Sequence, residues 1–263
     1  MAPDPPCRFR SRPCAEPAAI QTREAAALIR TVLFDLDGTL LDTAPDLAAC
    51  LNHLLQDTGR PPLPFERIRP VVSHGTVGLL QVGFGIGPDD PTFPELRERL
   101  LTLYRESLAD RTRPFPGITD LLAQIERRKL KWGVVTNKPG SLTEPLLAAL
   151  GLYRRAATVV SGDTLAQRKP HAAPMLLACR QAGCGPSECV YVGDAARDIE
   201  AGRNAGMRTL AALFGYLGDE EDPRGWGADA LIAHPRDVLT WLDGETQEKC
   251  TNRLQADCTD HPK

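Results

Sequence analysis

Short apolar runs that stop at polar turns recur along this chain, and between them apolar residues return every three or four positions. Thr31–Asp35 is the first such run, and Trp132–Thr136, Val190–Gly193 and Thr209–Ala212 repeat its form. Four or five consecutive apolar residues bounded by turn residues suit a strand buried on both faces. Between the later runs, Ile118, Leu121, Leu122 and Ile125 share one helical face, and so do Leu142, Leu146, Leu147 and Leu150. A further helix is expected around Met175 to Cys179. The alternation predicts an α/β fold, an open parallel sheet with helices on both faces. One segment interrupts it. From Pro45 to Arg113 the pattern reads as consecutive helices, the first marked by Leu47, Leu51, Leu54 and Leu55, the last by Leu96, Leu100, Leu103 and Tyr104. Open parallel sheets bind ligands beyond the carboxyl ends of their strands, so an insert after the first strand is a candidate lid. The expected division is a sheet core over 31–44 and 114–242 with a small helical cap over 45–113.

Composition narrows the partners. The 263 residues are 42% hydrophobic and 25% charged, which excludes a fibrous or wholly disordered chain. Lys plus Arg number 31 against 34 Asp plus Glu, a formal charge of -3, so no overall basic field exists to grip nucleic acid. No apolar run approaches the roughly 20 residues of a membrane-spanning helix. A cytoplasmic protein with neither a nucleic-acid nor a membrane partner is expected. Residues 1–30 hold several prolines and arginines but no apolar stretch of a secretory signal, and read as a disordered extension. The polar tail over 243–263 is expected to fray. Cys179, Cys184 and Cys189 stand four residues apart in each gap, unlike the close pairs of structural zinc sites, and read as idle thiols in a reducing compartment.

The polar residues at the strand ends belong together chemically. Asp35-Leu36-Asp37-Gly38-Thr39 closes the first strand, and residues two apart in an extended chain point the same way. Two crowded carboxylates repel unless a cation intervenes, and magnesium prefers such oxygens. Thr136-Asn137 offers a hydroxyl and an amide to phosphate oxygens. Lys169 opens a loop before a helix, and Gly193-Asp194-Ala195-Ala196-Arg197-Asp198 adds two more acids. Acids, a hydroxyl and a lysine at successive strand ends form an electrostatic clamp for phosphoryl transfer.

With D-x-D-G-T, the strand-end Thr, the Lys and G-D-x-x-x-D in order, the chain resembles the haloacid dehalogenase-like phosphatases over about Thr31 to Leu242. The resemblance implies a Rossmann-like core, a helical cap and a magnesium cofactor. It implies Asp35 as nucleophile, forming an aspartyl-phosphate, and Asp37 as the acid and base. Magnesium would be held by Asp35, Asp194 and the backbone carbonyl of Asp37. Thr136 and Asn137 would hold the phosphoryl group, Lys169 would neutralise charge on it, and Asp198 would orient Lys169 or a metal-bound water from behind.

Asp37 favours phosphate esters over carbon–halogen bonds, whose cleavage leaves no alkoxide to protonate. A cap Schiff base is excluded, because no lysine precedes Lys129. A sugar-phosphate mutase shares the nucleophile and acid and stays open as an alternative. A phospho-Asp receiver or binding protein fits the order of acids and the insert poorly. The stretch from Leu40 to Asp46 is similar to the phosphoglycolate phosphatase branch. Trp132–Pro139 and Trp226–Asp229 resemble its subgroup acting on N-acetylmuramic acid 6-phosphate. The expected partner is thus a small phosphorylated metabolite that also bears a carboxylate. Arg67, Arg69, Ser73 and His74 in the insert are the candidates for reading the part beyond the phosphate.

Overall fold

β1 (Thr31–Phe34) is buried along its whole length because strands flank both its edges and helices cover both its faces. In this computed structural model, which describes residues 28–218 and 221–245, it runs parallel to β4 (Lys131–Val135) and to β6 (Cys189–Gly193). Adding β5 (Thr158–Val160), β7 (Arg208–Ala212) and β8 (Ala230–Ile232) gives a parallel six-stranded sheet in the order β5-β4-β1-β6-β7-β8. The α/β expectation holds. The expected terminal extension and tail fall outside the described residues, except for 28–30 and 243–245.

The period-2 pleat sorts the core into two layers. Val32, Phe34, Val134, Val192 and Leu210 pack with the apolar faces of α5 (Ile118–Arg127) and α6 (Gly140–Ala149). Leu33, Val135, Val160 and Tyr191 point the other way, toward α7 (Ala173–Ala182) and α8 (Ala196–Asn204). The apolar pattern does not single out β5 and β8. Each has only three residues and stands at an edge of the sheet, where burial is partial and no long apolar run is needed.

Between β2 (Leu41–Asp42) and β3 (Arg113–Pro114) the chain forms α1 (Ala44–Asp57), α2 (Phe65–Ile68), a 3₁₀ segment (Arg69–His74), α3 (Gly75–Phe84) and α4 (Phe93–Glu106). The two short strands pair antiparallel, Leu41 opposite Pro114 and Asp42 opposite Arg113, so the insert enters and leaves the core through one paired stem. Asp46, in the first turn of α1, braces that stem. Its buried carboxylate accepts the Arg111 N–H at 2.9 Å, the Thr112 N–H at 2.9 Å and the Thr112 hydroxyl at 2.7 Å. No helix among the described residues is long and apolar enough to cross a membrane.

Removing the brace strands three donors. Asp46→Ala should cost about 3 kcal/mol of unfolding free energy in urea, whereas Asp110→Ala on the exposed surface should stay within about 0.5 kcal/mol.

Candidate active site

β4, β1 and β6 are neighbours, so the residues at their carboxyl ends converge: Thr136 after β4, Asp35 after β1 and Asp194 after β6. Lys169 reaches the same place from the loop ahead of α7. Its Nζ lies 2.8 Å from Asp35 Oδ1 and 2.8 Å from Asp198 Oδ1. Neither carboxylate oxygen takes a hydrogen bond, so these contacts are ion pairs made off the hydrogen-bonding directions, and both oxygens keep acceptor capacity. The hydrogen bond of the ammonium goes to the Tyr191 hydroxyl at 2.9 Å, which donates to the Val135 carbonyl at 2.7 Å. All four side chains are buried.

Burial dominates the electrostatics of this floor. It pushes the Asp35 carboxyl above its ordinary range, Lys169 pulling it back and Asp198 adding to the rise. Asp194 is pushed up to about 7 by burial and then by the charges of Asp35 and Asp198. Burial works against the Lys169 charge, yet Asp198 and Asp35 hold the ammonium above its ordinary value. Asp194 accepts from the Thr39 hydroxyl at 3.0 Å, the Ser73 hydroxyl at 2.8 Å and the Tyr216 N–H at 2.9 Å. The chain can pass this close to Asp194 only at a glycine. Gly38 has φ +86, and a Cβ there would stand 2.1 Å from Asp194 Oδ2.

Carboxylate oxygens of Asp35, Asp194 and Asp198 lie within 4.8 Å of one another. Three mutually repelling buried acids, two of them with an oxygen that takes no hydrogen bond, fit a hard divalent cation such as magnesium. The Asp37 carboxylate is not in this group. Its Oδ1 accepts instead from the Thr43 hydroxyl at 2.6 Å and from Lys138 Nζ at 2.9 Å.

Above the floor is a cavity of about 540 Å³ whose far wall is the helical insert. Thr136 lines it, and its oxygen accepts the Lys138 N–H at 3.1 Å, which leaves the hydroxyl hydrogen to donate. Three expectations change, and Asn137 gains a second role. Asn137 borders the cavity, and its amide also grips Lys169: Oδ1 accepts the Lys169 N–H at 3.0 Å and Nδ2 donates to its carbonyl at 3.1 Å. The amide therefore holds the lysine loop, and its second Nδ2 hydrogen is not used there. Arg69 points away from the cavity, donating to the Phe214 carbonyl at 3.3 Å with its guanidinium 5.0 Å from the Tyr216 ring centroid. Arg67 is exposed and also outside the cavity. Ser73 does line it, but its hydroxyl is given to Asp194 and its carbonyl accepts from Arg197 at 2.6 Å, so it ties the insert to the acidic floor. His74 borders the cavity beside Glu221, 3.7 Å away.

Sequence reasoning missed Lys138, Tyr104, Arg97, Arg168 and Arg197. Lys138 links core and insert, since its Nζ also donates to the Tyr104 hydroxyl at 3.0 Å. Burial pushes that phenol up to about 12. A signal for Arg97 was present: Phe93, Arg97, Leu101 and Tyr104 recur at helical spacing on α4, an arginine inside an apolar stripe, and all four line the cavity.

Lys169→Met should destabilise the metal-free protein by about 3–5 kcal/mol, since it leaves Asp35 and Asp198 buried without their cation. Adding Asp198→Asn should recover part of the loss in urea unfolding, because one of the two stranded charges is then gone.

Residues 32–212 match the haloacid dehalogenase-like hydrolase family. Over 215 residues the chain is 44% identical to the N-acetylmuramic acid 6-phosphate phosphatase of Pseudomonas aeruginosa, covering 82% of this chain and 95% of that protein. It is 44% identical over 209 residues to a phosphoglycolate phosphatase of Xylella fastidiosa, covering 80% and 91%. The crystal structure of a predicted phosphoglycolate phosphatase from Haemophilus somnus superposes with a TM-score of 0.72 at 26% identity, covering 81% of this chain and 97% of that one. A match spanning most of the sheet and all of its acidic strand ends makes this chain a member of the haloacid dehalogenase-like hydrolase family.

Proposed function

We propose that the chain is a phosphomonoesterase that uses Asp35 as nucleophile and acts on an amino-sugar phosphate bearing a carboxylate, N-acetylmuramic acid 6-phosphate in preference to 2-phosphoglycolate. The observation that carries the reaction is Lys169 set 2.8 Å from both Asp35 and Asp198 at the base of a cavity. Lys169 keeps a negative Asp35 tolerable in a buried place and meets the incoming phosphoryl charge. The Thr136 hydroxyl donates to a phosphoryl oxygen. An Asp35 oxygen attacks phosphorus, the ester P–O bond breaks, and the leaving alkoxide takes a proton from Asp37. Water then attacks the aspartyl-phosphate, gives its proton to Asp37, and inorganic phosphate leaves while Asp35 is restored. Thr43 and Lys138 both fall on Oδ1 of Asp37, which orients the carboxyl for this traffic. A magnesium ion held by Asp35, Asp194 and the Asp37 carbonyl would supply Lewis-acid charge stabilisation.

Size and charge of the cavity support the substrate. About 540 Å³ is in the range of pockets that enclose whole drug-sized ligands, and a two-carbon acid would leave most of it empty. Val77, Leu79, Phe93 and Leu101 give it an apolar wall suited to a sugar ring and its substituents. Within that wall stands half-buried Arg97, which has no hydrogen-bond or ion-pair partner among the described residues. An unpaired guanidinium facing a cavity calls for a carboxylate, and N-acetylmuramic acid 6-phosphate carries one away from its phosphate. The N-acetylmuramic acid 6-phosphate phosphatase of Pseudomonas aeruginosa, matched over 95% of its length, points the same way.

The test is kcat/KM with magnesium on N-acetylmuramic acid 6-phosphate, N-acetylglucosamine 6-phosphate, 2-phosphoglycolate and para-nitrophenyl phosphate. Wild type should favour the first. Arg97→Met should lower it about ten- to a hundredfold for that substrate alone, the cost of one charge-assisted contact. An equal loss on N-acetylglucosamine 6-phosphate, which lacks the carboxylate, would reject this role for Arg97. A preference for 2-phosphoglycolate would reject the substrate.

A further inference from the structure

Where the strands begin, opposite the carboxyl ends that carry the acids, a second chemical cluster has no part in this reaction. Cys179 belongs to α7, Cys184 to the loop after it, and Cys189 opens β6. In sequence these cysteines stand too far apart for a zinc pair. The end of α7 folds back on the start of β6, however, and brings all three sulfurs within 4.8 Å of one another. Cys189 Sγ is 3.5 Å from Cys179 Sγ and 3.2 Å from Cys184 Sγ. Cys179 and Cys189 are buried, while Cys184 is half-buried and gives the trio its access to solvent. The catalytic acids follow the carboxyl ends of β1 and β6. This cluster lies where the strands begin, with Thr31 Oγ1 3.4 Å from Cys184 Sγ.

We propose that Cys179, Cys184 and Cys189 form a three-sulfur binding site for a soft, thiophilic metal ion of the copper(I) class, separate from the catalytic site. Thiolate sulfur selects soft ions over magnesium, which takes oxygen ligands. The cluster offers three sulfurs and no His, Asp or Glu donor among the described residues, so the fourth protein ligand of a structural zinc site is missing. Three-coordination by sulfur suits copper(I). Three sulfurs around an ion at ordinary metal–thiolate distance, about 2.3 Å, stand about 4 Å apart, so the contacts of 3.2 and 3.5 Å would have to widen by about half to four-fifths of an ångström. The trio already leans toward ionisation at one sulfur. Hydrogen bonding from Cys189 holds the Cys179 thiol below its ordinary range against the effect of burial, and Cys189 is pushed up in turn. On binding, each remaining thiol passes its proton to solvent and gains a metal–sulfur bond, with no change in oxidation state. Arg180 and Lys131, the latter donating to the Ala182 carbonyl at 2.5 Å, put positive charge beside the cluster.

Titration of the reduced full-length protein with copper(I), against a competing chromophoric chelator, tests this. One ion per chain should bind tightly. Cys189→Ser and Cys184→Ser should each weaken it at least about a hundredfold, more than loss of an outer-sphere partner costs. Cys184→Ser lies in a half-buried loop and provides a folded variant should the core change at Cys189 unfold the protein. Serine at Cys50, or at the four cysteines outside the described residues, should leave that ion in place. Magnesium-dependent turnover should stay within about twofold of wild type in Cys184→Ser, since the cluster lies at the opposite ends of the strands from the acids. The proposal is overturned if no ion binds, or if the other cysteines account for it. A protein lighter by two hydrogens, a disulfide in place of a bound ion, would overturn it too.

Discussion

A single ammonium group stands between two buried carboxylates at the base of the cavity, and the surrounding structure is arranged to keep it there. Lys169 touches Asp35 and Asp198, while Tyr191, inside the sheet, takes its hydrogen bond. Asn137 holds the backbone of the same lysine from the next strand end. Without that cation two negative charges would face each other out of water, a cost of several kcal/mol per ion. A third acid, Asp194, sits in the same space and is kept by Thr39, Ser73 and the Tyr216 N–H. The floor is therefore short of positive charge, and that shortage suits a divalent cation.

The insert is tied into that floor as well as covering it. Ser73 bonds to Asp194 and its carbonyl to Arg197, while Tyr104 meets Lys138, which pairs with Asp37. Each link joins a residue of the insert to a charged residue of the core. A substrate entering the cavity consequently changes the partners of the groups proposed to act on it. The stem formed by β2 and β3, braced by Asp46, keeps the insert's two chain crossings together beneath these contacts.

Much of this was legible in the sequence because the chemistry sits at strand ends, where apolar runs give way abruptly to polar residues. Asp35, Thr136 and Asp194 each follow such a run, and the sheet order brings them together. Strands of two or three residues left no such mark, so β2, β3, β5 and β8 were invisible to the pattern. Side-chain direction was invisible too. Nothing in the sequence tells that Arg69 turns to Phe214; the exception is Arg97, whose place with Phe93, Leu101 and Tyr104 on one helical stripe marked the face that lines the cavity. The second role of Asn137 was hidden for a related reason: an amide beside a strand-end Thr suits phosphate, but it also matches both polar groups of a backbone peptide. The cysteine spacing gave no sign that the three sulfurs meet, because a helix end and a strand start can bring together residues that sequence distance separates.

The central claim is that Asp35 carries the phosphoryl group between substrate and water. Acid quenching during turnover, followed by peptide mapping, tests it most directly. The account predicts a phosphoryl group on Asp35 that forms and decays fast enough to support kcat and is absent in Asp35→Asn. A rapid release of phosphate with no phosphorylated protein at any time, or with the phosphoryl group on another residue, would contradict it.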